Sequence, residues 1–164
     1  KIIEKSKTFK TPILFYPNTS FEIFDETEII IDNVKLEKKI GDIIPDIIIE
    51  SNSKQLLVEI VVNNSVNWQK LQRIRSENLP VIEVNAKYLF KRVYNLKFFG
   101  PQENQFENEL VHGANYKRWL NNPKIDFIKQ NKYTYFREAT FMYLGKMKTW
   151  NPEMIYSRIG GYLG

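Results

Sequence analysis

The stretch that most constrains this chain is residues 45–62, Pro-Asp-Ile-Ile-Ile-Glu-Ser-Asn-Ser-Lys-Gln-Leu-Leu-Val-Glu-Ile-Val-Val. Its two apolar runs, residues 47–49 and 56–62, are rich in the β-branched residues that suit a packed, pleated surface. Between them Ser51-Asn52-Ser53-Lys54 carries side chains that favour turns. The pattern predicts a β-hairpin. A two-residue loop at Asn52-Ser53 and a four-residue loop over residues 51–54 share one centre, so either register sets Asp46 opposite Glu59. Side chains alternate along a strand. Ile47, Ile49, Leu56, Val58, Ile60 and Val62 therefore share one wholly apolar face. The other face carries Asp46, Ile48, Glu50, Gln55, Leu57, Glu59, Val61 and Asn63. Like charges directly opposite each other cost roughly 0.2–1 kcal/mol. A divalent cation would convert that repulsion into ligation by hard oxygen donors. The plainer reading is a hairpin whose acids line a wet face and do nothing.

The rest of the chain narrows the classes of function. Its 164 residues suffice for one domain with a real core, or one domain with an appendage. No cysteine is present, which excludes disulfides, zinc ribbons and thiol nucleophiles and fits a cytoplasmic protein. The single histidine, His112, argues against His-pair metal sites and a Ser-His-Asp triad. No apolar run approaches the ~20 residues of a membrane span, so no membrane partner is expected. Charge is unevenly spread. Residues 1–85 hold 11 Lys+Arg against 13 Asp+Glu, a net of −2, and residues 86–164 hold 13 against 6, a net of +7. Of the aromatics, 6 precede residue 86 and 17 follow it. An acidic, aliphatic half thus precedes a basic, aromatic one.

Residues 1–10 read as a basic, loosely held start. Residues 11–24 contain Pro12 and Pro17 and read as an edge strand or extended segment, because proline cannot donate to a central ladder. Residues 28–37 read as one strand, bulged near Asn33, and residues 38–42 with Gly41 as a turn. After the hairpin, Asn63-Asn64-Ser65 breaks the strand and can cap a helix over residues 66–77, with Leu71 and Ile74 inward and Lys70 and Arg73 on a common face. Residues 80–85 read as a strand, so the helix is a crossover suited to parallel pairing. Residues 86–99 read as helix or irregular link, residues 103–120 as a helix, and residues 124–131 as another. Residues 131–150 are ambiguous between helix and strand.

Pro45-Asp46, a turn, then Glu59-Ile60-Val61 resembles the PD-(D/E)XK nuclease signature. The order of an Asp strand, a Glu strand, a helix and a parallel strand resembles the restriction-endonuclease-like core. More narrowly, Glu59-Ile60-Val61-Val62-Asn63-Asn64-Ser65-Val66-Asn67-Trp68-Gln69-Lys70, followed by Val81-Ile82-Glu83-Val84, is similar to the nuclease segment of competence protein CoiA-like proteins. The resemblance covers residues 28–87. It departs at Val61, where the signature lysine stands, at Asn63-Asn64 for a Thr-His pair, and at Asn67 for an Asp. In that superfamily the lysine can come from the neighbouring helix, and Lys70 occupies the matching position.

The resemblance implies an α/β fold with a mixed-sheet core of strand-strand-strand-helix-strand, and the composition of the later residues adds a helical, basic C-terminal extension. The nuclease-like core would span residues 28–87; the residues on either side read as an extended segment at 1–27 and a basic aromatic region at 88–164 packed on the core. The resemblance implies hydrolysis of phosphodiester bonds. Asp46 and Glu59 would hold Mg²⁺ (or Mn²⁺), and Lys70 would orient water or offset transition-state charge. Glu37 is an outer ligand or a surface acid. Gln55 and Asn63 bind a metal-bound water or phosphate, or are ordinary polar residues of a strand edge. Arg73 is accessory or simply solvated. The basic half suits nucleic acid, DNA more than RNA, through Lys117, Arg118, Lys132, Arg137, Lys146 and Lys148. Most of its aromatics must nonetheless be core. The competing expectation is a nuclease fold that has lost its chemistry and acts as a nucleic-acid-binding or protein-interaction module. Protein partners or a homodimer complete the candidate partners.

Overall fold

The computed structural model describes residues 1–15, 22–95 and 102–130. Residues 1–123 form one compact unit, and residues 124–164 form a second. The expected α/β class is found: a mixed five-stranded sheet carries helices on both faces.

The chain opens with α1 (Ile2–Lys5) and β1 (Thr8–Thr11), followed by β2 (Leu14–Phe15), β3 (Glu22–Phe24) and β4 (Thr27–Ile30). β1 pairs with β4 and β2 with β3, as two small antiparallel ribbons. The expectation of a loose start over residues 1–10 is corrected here. Ile3 and Phe9 are buried in the main core, and their apolar surface, flanked by lysines, ties the segment down. The strand expected over residues 28–37 is two strands in different sheets. β4 ends at Ile30, and β5 (Asn33–Leu36) begins the main sheet. The break falls at Ile31-Asp32. There the Ile31 N–H still pairs with the Lys7 carbonyl at 2.8 Å, whereas the Asp32 N–H pairs with the Glu50 carbonyl at 2.9 Å and the Asp32 carboxylate accepts the Asn52 N–H at 2.6 Å, so the chain passes from one sheet to the other.

β6 (Ile47–Ser51) and β7 (Lys54–Val61) form the hairpin, registered Ile47↔Val58 through Ser51↔Lys54. Its loop is the two residues Asn52 and Ser53, at φ of 49° and 61°. Both are left-handed, as a turn matched to strand twist requires. α2 (Trp68–Ser76) then crosses over to β8 (Val81–Asn85), which pairs parallel with β7. Asn67 caps α2, its Oδ1 accepting the Lys70 N–H at 2.8 Å. The cap is thus two residues beyond Asn63-Asn64-Ser65. Asn78, at φ 49°, ends the helix.

α3 (Ala86–Asn95) follows β8 directly, with the Asn85 side chain accepting the Tyr88 N–H at 3.1 Å. α4 (Gln102–His112) is shorter than the helix expected over residues 103–120. It stops at Gly113, and β9 (Lys117–Asn121) joins the sheet antiparallel to β8. The core sheet therefore takes its last strand from beyond residue 87. Period-2 alternation explains the change. Trp119 packs into the core on one face of β9 and Leu120 packs toward the other. α5 (Pro123–Gln130) lies in the second unit from residue 124 onward and is shifted by one residue from the helix expected over residues 124–131.

The sheet order is β5-β6-β7-β8-β9. On one face Ile49, Val58, Ile82 and Val84 pack against Leu89 of α3 and Val111 of α4. On the other, Leu57 and Val81 pack against Ile74 of α2 and against Ile43. Both faces of the hairpin are covered. The face that carries Asp46 and Glu59 is therefore not the wet face of a half-buried hairpin. Among the described residues no helix is long and apolar enough to cross a membrane.

Candidate functional site

The register of the sheet lines up charged residues. The β5–β6 ladder ends at Leu36↔Ile47 and the hairpin ladder at Ile47↔Val58, so the next step sets Glu37, Asp46 and Glu59 in one row. Glu59 pairs with Glu83 across the parallel strands, and Glu83 pairs with Arg118 on β9. The row runs from the residues flanking β5 and β6 across β7, β8 and β9 without an apolar residue. Side chains within a row share a face.

Asp46 lies just before β6. Its Oδ2 accepts the Ile60 N–H at 2.7 Å, and its carbonyl accepts the Glu37 N–H at 3.1 Å. The side chain thus caps the end of the ladder and is fixed beside Glu59. Glu59 is 4 % exposed. Its Oε2 accepts the Lys70 ammonium at 2.7 Å, and its Oε1 is buried with no hydrogen-bond partner among the described residues. Burial pushes the Glu59 carboxyl up. The bond and charge of Lys70 pull it down, and the charges of Asp46 and Glu83 push it further up. Burial prevails, since removing a carboxylate from water disfavours its charged form.

Lys70 reaches Glu59 because α2 is tied down along its length. Its Nζ also donates to the Ile44 carbonyl at 3.0 Å. Ile74, one turn on, is fully buried against Leu57 and Val81. At the far end Glu77 Oε1 accepts the Asp42 N–H at 3.0 Å. Gly41 allows this approach. At φ 53° it favours glycine, and a Cβ there would lie 2.0 Å from the Glu77 carboxylate.

The remaining expected residues are dispersed. Glu37 is in the row by backbone register, but it sits at φ 48° and its side chain is exposed. Gln55 lies at the turn end of the hairpin, four residues from Glu59 and about 13 Å away at strand rise. It donates to Glu50. Asn63 and Arg73 are exposed, and no contact brings them to the carboxylates. Lys117 is corrected outright. It is 7 % exposed and donates to the Lys10 and Val111 carbonyls at 2.7 and 2.9 Å, over the Phe9 ring. No phosphate can reach an ammonium spent in this way. Its position on β9 turns it to the core face, which a helical reading of residues 103–120 concealed. Lys132, Arg137, Lys146 and Lys148 lie outside the described residues. Arg118 stays at the surface, and its Nε donates to Glu83 Oε1 at 2.7 Å.

Glu83 is the residue the sequence reading passed over. It is 3 % exposed and sits beside Glu59. Aligning Glu59-Ile60-Val61 with Glu83-Val84-Asn85 in parallel would have placed it there. His112 lies at the end of α4, exposed, against Glu28 at 3.1 Å. It plays no part in the row.

Among the described residues no three His, Cys, Asp or Glu side chains converge as a ready cage for a metal. Comparison of the chain with protein families, with curated proteins and with solved structures finds no match in any of the three. What the site can do follows from its own geometry. It holds two adjacent carboxylates, one with an orphaned buried oxygen, and an ammonium brought to them from a neighbouring helix.

Proposed function

We propose that this chain is a metal-dependent nuclease of restriction-endonuclease-like topology, hydrolysing phosphodiester bonds in nucleic acid, DNA in preference to RNA. One observation carries the reading. The Lys70 ammonium lies 2.7 Å from Glu59 Oε2, supplying from α2 the cation that Val61 cannot. The element order β5, β6, β7, α2, β8 supports the same topology, with Asp46 entering its second strand and Glu59 on its third. The cytoplasm suits a chain without cysteine that acts on nucleic acid.

Asp46 and Glu59 suit Mg²⁺ or Mn²⁺. Mg²⁺ keeps several waters and takes only one or two carboxylates, so a larger cage is not needed. The orphaned Glu59 Oε1 is a ligand atom without another occupation. When bound, the ion polarises a phosphoryl oxygen and makes hydroxide available near neutral pH. The water oxygen bonds to phosphorus, and one ester oxygen leaves with a proton, giving a phosphomonoester and an alcohol. Lys70 orients the attacking water or offsets charge on the phosphoryl oxygens.

A second reading, a nuclease fold kept for binding nucleic acid or a protein partner, is favoured by Val61, Asn63, Asn64 and Asn67 in place of motif residues. Asn67 is spent as the α2 cap. The deciding experiment is cleavage of single- and double-stranded DNA and RNA with Mg²⁺ or Mn²⁺. Wild type should cleave and Asp46→Asn should not. Metal should also raise the melting temperature of the wild type alone, since a ligand bound only to the folded state stabilises it. Equal behaviour of the two proteins in both assays refutes the site.

A further inference from the structure

The row that holds Asp46 and Glu59 continues through Glu83 to Arg118. Glu83 is buried, yet its partner is not: the Arg118 side chain is 63 % exposed. The two meet through Arg118 Nε and Glu83 Oε1 at 2.7 Å, while Glu83 Oε2 takes a long 3.5 Å bond from the Val66 N–H. Among the described residues nothing bonds the two terminal nitrogens of Arg118. A guanidinium held by Nε keeps its terminal N–H groups for another acceptor, and that fork fits phosphate oxygens. Its holder is rigid, since Glu83 sits within a strand buried on both faces.

Position adds to this. Arg118 is two strands from Glu59, about 10 Å between backbones at ordinary strand spacing. The bond to Glu83 draws the guanidinium back over β8, toward the carboxylate pair. Two buried glutamates on adjacent strands thus each hold a cation, Glu59 holding Lys70 and Glu83 holding Arg118. Counting only Asp46, Glu59 and Glu83 with Lys70 and Arg118, and leaving the exposed Glu37 aside, the cluster carries one net negative charge, and without Arg118 it would carry two.

We propose that Arg118 is a phosphate clamp for the nucleic-acid backbone beside Asp46 and Glu59, and that Glu83 is the positioning residue that aims it. The placement rests on the nuclease reading, which puts a phosphodiester at those carboxylates.

The test is binding of labelled single- and double-stranded DNA oligonucleotides by fluorescence anisotropy over a salt series, with Ca²⁺ replacing Mg²⁺ and probe integrity checked on a gel. Arg118→Met should bind about tenfold more weakly. The slope of log K against log[salt] should be shallower by about 0.9 on duplex or about 0.7 on single strands, the loss of one phosphate contact. Arg118→Met/Glu83→Gln, which also removes the stranded buried charge, should show the same shift while melting near the wild type. Arg118→Lys should restore the slope. Glu83→Gln alone should weaken binding with the slope kept, because the charge remains and its aim is lost. Unchanged affinity and slope in the double variant would make the pair merely structural and overturn the proposal, as would a wild type that binds no DNA. Cleavage with Mg²⁺, run in parallel, separates the two ideas. A wild type that cleaves nothing, with the slope shift intact, sinks the nuclease reading and leaves the clamp standing.

Discussion

Replacing Lys70 by methionine tests the centre of this site through stability as well as rate. Methionine keeps most of the stem's apolar contact and removes the charge. Glu59 is then a buried carboxylate with no cation, one oxygen unbonded already and the other newly so. Breaking a buried ion pair from one side costs about 3–5 kcal/mol. The Lys70 side chain is 28 % exposed, so water partly replaces it, and the lower end, about 3 kcal/mol, applies. For a chain of this size that is about 6–12 °C in Tm. The deficit should depend on pH. A carboxyl held above its ordinary value in the fold costs nothing below about pH 4.5, where folded and unfolded chains are both protonated. Its charge costs stability as pH rises through the raised value. Lys70 is what pulls Glu59 down, so the deficit should be small near pH 4.5 and full near pH 8. Urea melts at both pH values read this directly. Lys70→Met/Glu59→Gln should regain most of the lost stability at high pH but none of the cleavage. Lys70→Met alone should cleave about 10²-fold more slowly, the scale of one preorganised electrostatic donor. A Lys70→Met protein within about 0.5 kcal/mol of wild type at both pH values would refute the coupling. So would a double variant no more stable than the single.

Burial pushes the Lys117 ammonium down to about 7, against the lesser pull of Glu109 and Glu26 and with the push of Lys10. Between that value and its ordinary one the unfolded chain binds the extra proton. Wild-type Tm should therefore rise from about pH 7 toward pH 10, and Lys117→Met should lack the rise. Glu50 accepts from Lys35, Asn33 and Gln55, which hold its carboxyl down at about 2. Its contribution should persist above the ordinary carboxylate range and vanish as pH falls through that value. A carbon-detected NMR titration should find it, and Lys35→Met should move the midpoint up. Ile74→Ala should cost about 2–5 kcal/mol as a buried truncation. It should also slow cleavage, because Ile74 seats the helix that delivers Lys70; an unchanged rate would separate the two.

The hairpin was legible because two signals agreed. Alternation assigned the faces, and the turn residues Asn52-Ser53 fixed the centre, so Asp46 and Glu59 became neighbours without any structure. The crossover to β8 was legible for a similar reason, an amphipathic helix between two short apolar runs. What failed was local propensity overruled by tertiary context. Residues 113–121 continue a helix-like composition, but Gly113 ends α4 and the open edge of β8 recruits the next residues as a strand. Residues 28–37 look like one strand because nothing in their apolar pattern marks the step between sheets. Asp32 does so through its N–H to Glu50 and its carboxylate to Asn52, contacts eighteen and twenty residues away.

The same limit explains why the site was read only in part. Asp46 and Glu59 belong to one hairpin, whose register a local turn sets. Glu83 and Arg118 enter through parallel pairing and through a strand from the far half of the chain, and neither register is written locally. Composition pointed to Lys117 and Arg118 together as surface cations. Adjacent strand residues face opposite ways, so one of them had to turn inward, and the core chose Lys117. Its neighbour, by the same alternation, falls in the row of carboxylates. The residue that charge counting treated as one of many is thereby the one that geometry sets beside Glu83, one strand further from Glu59, and the one that was a full peer by composition is lost to the core.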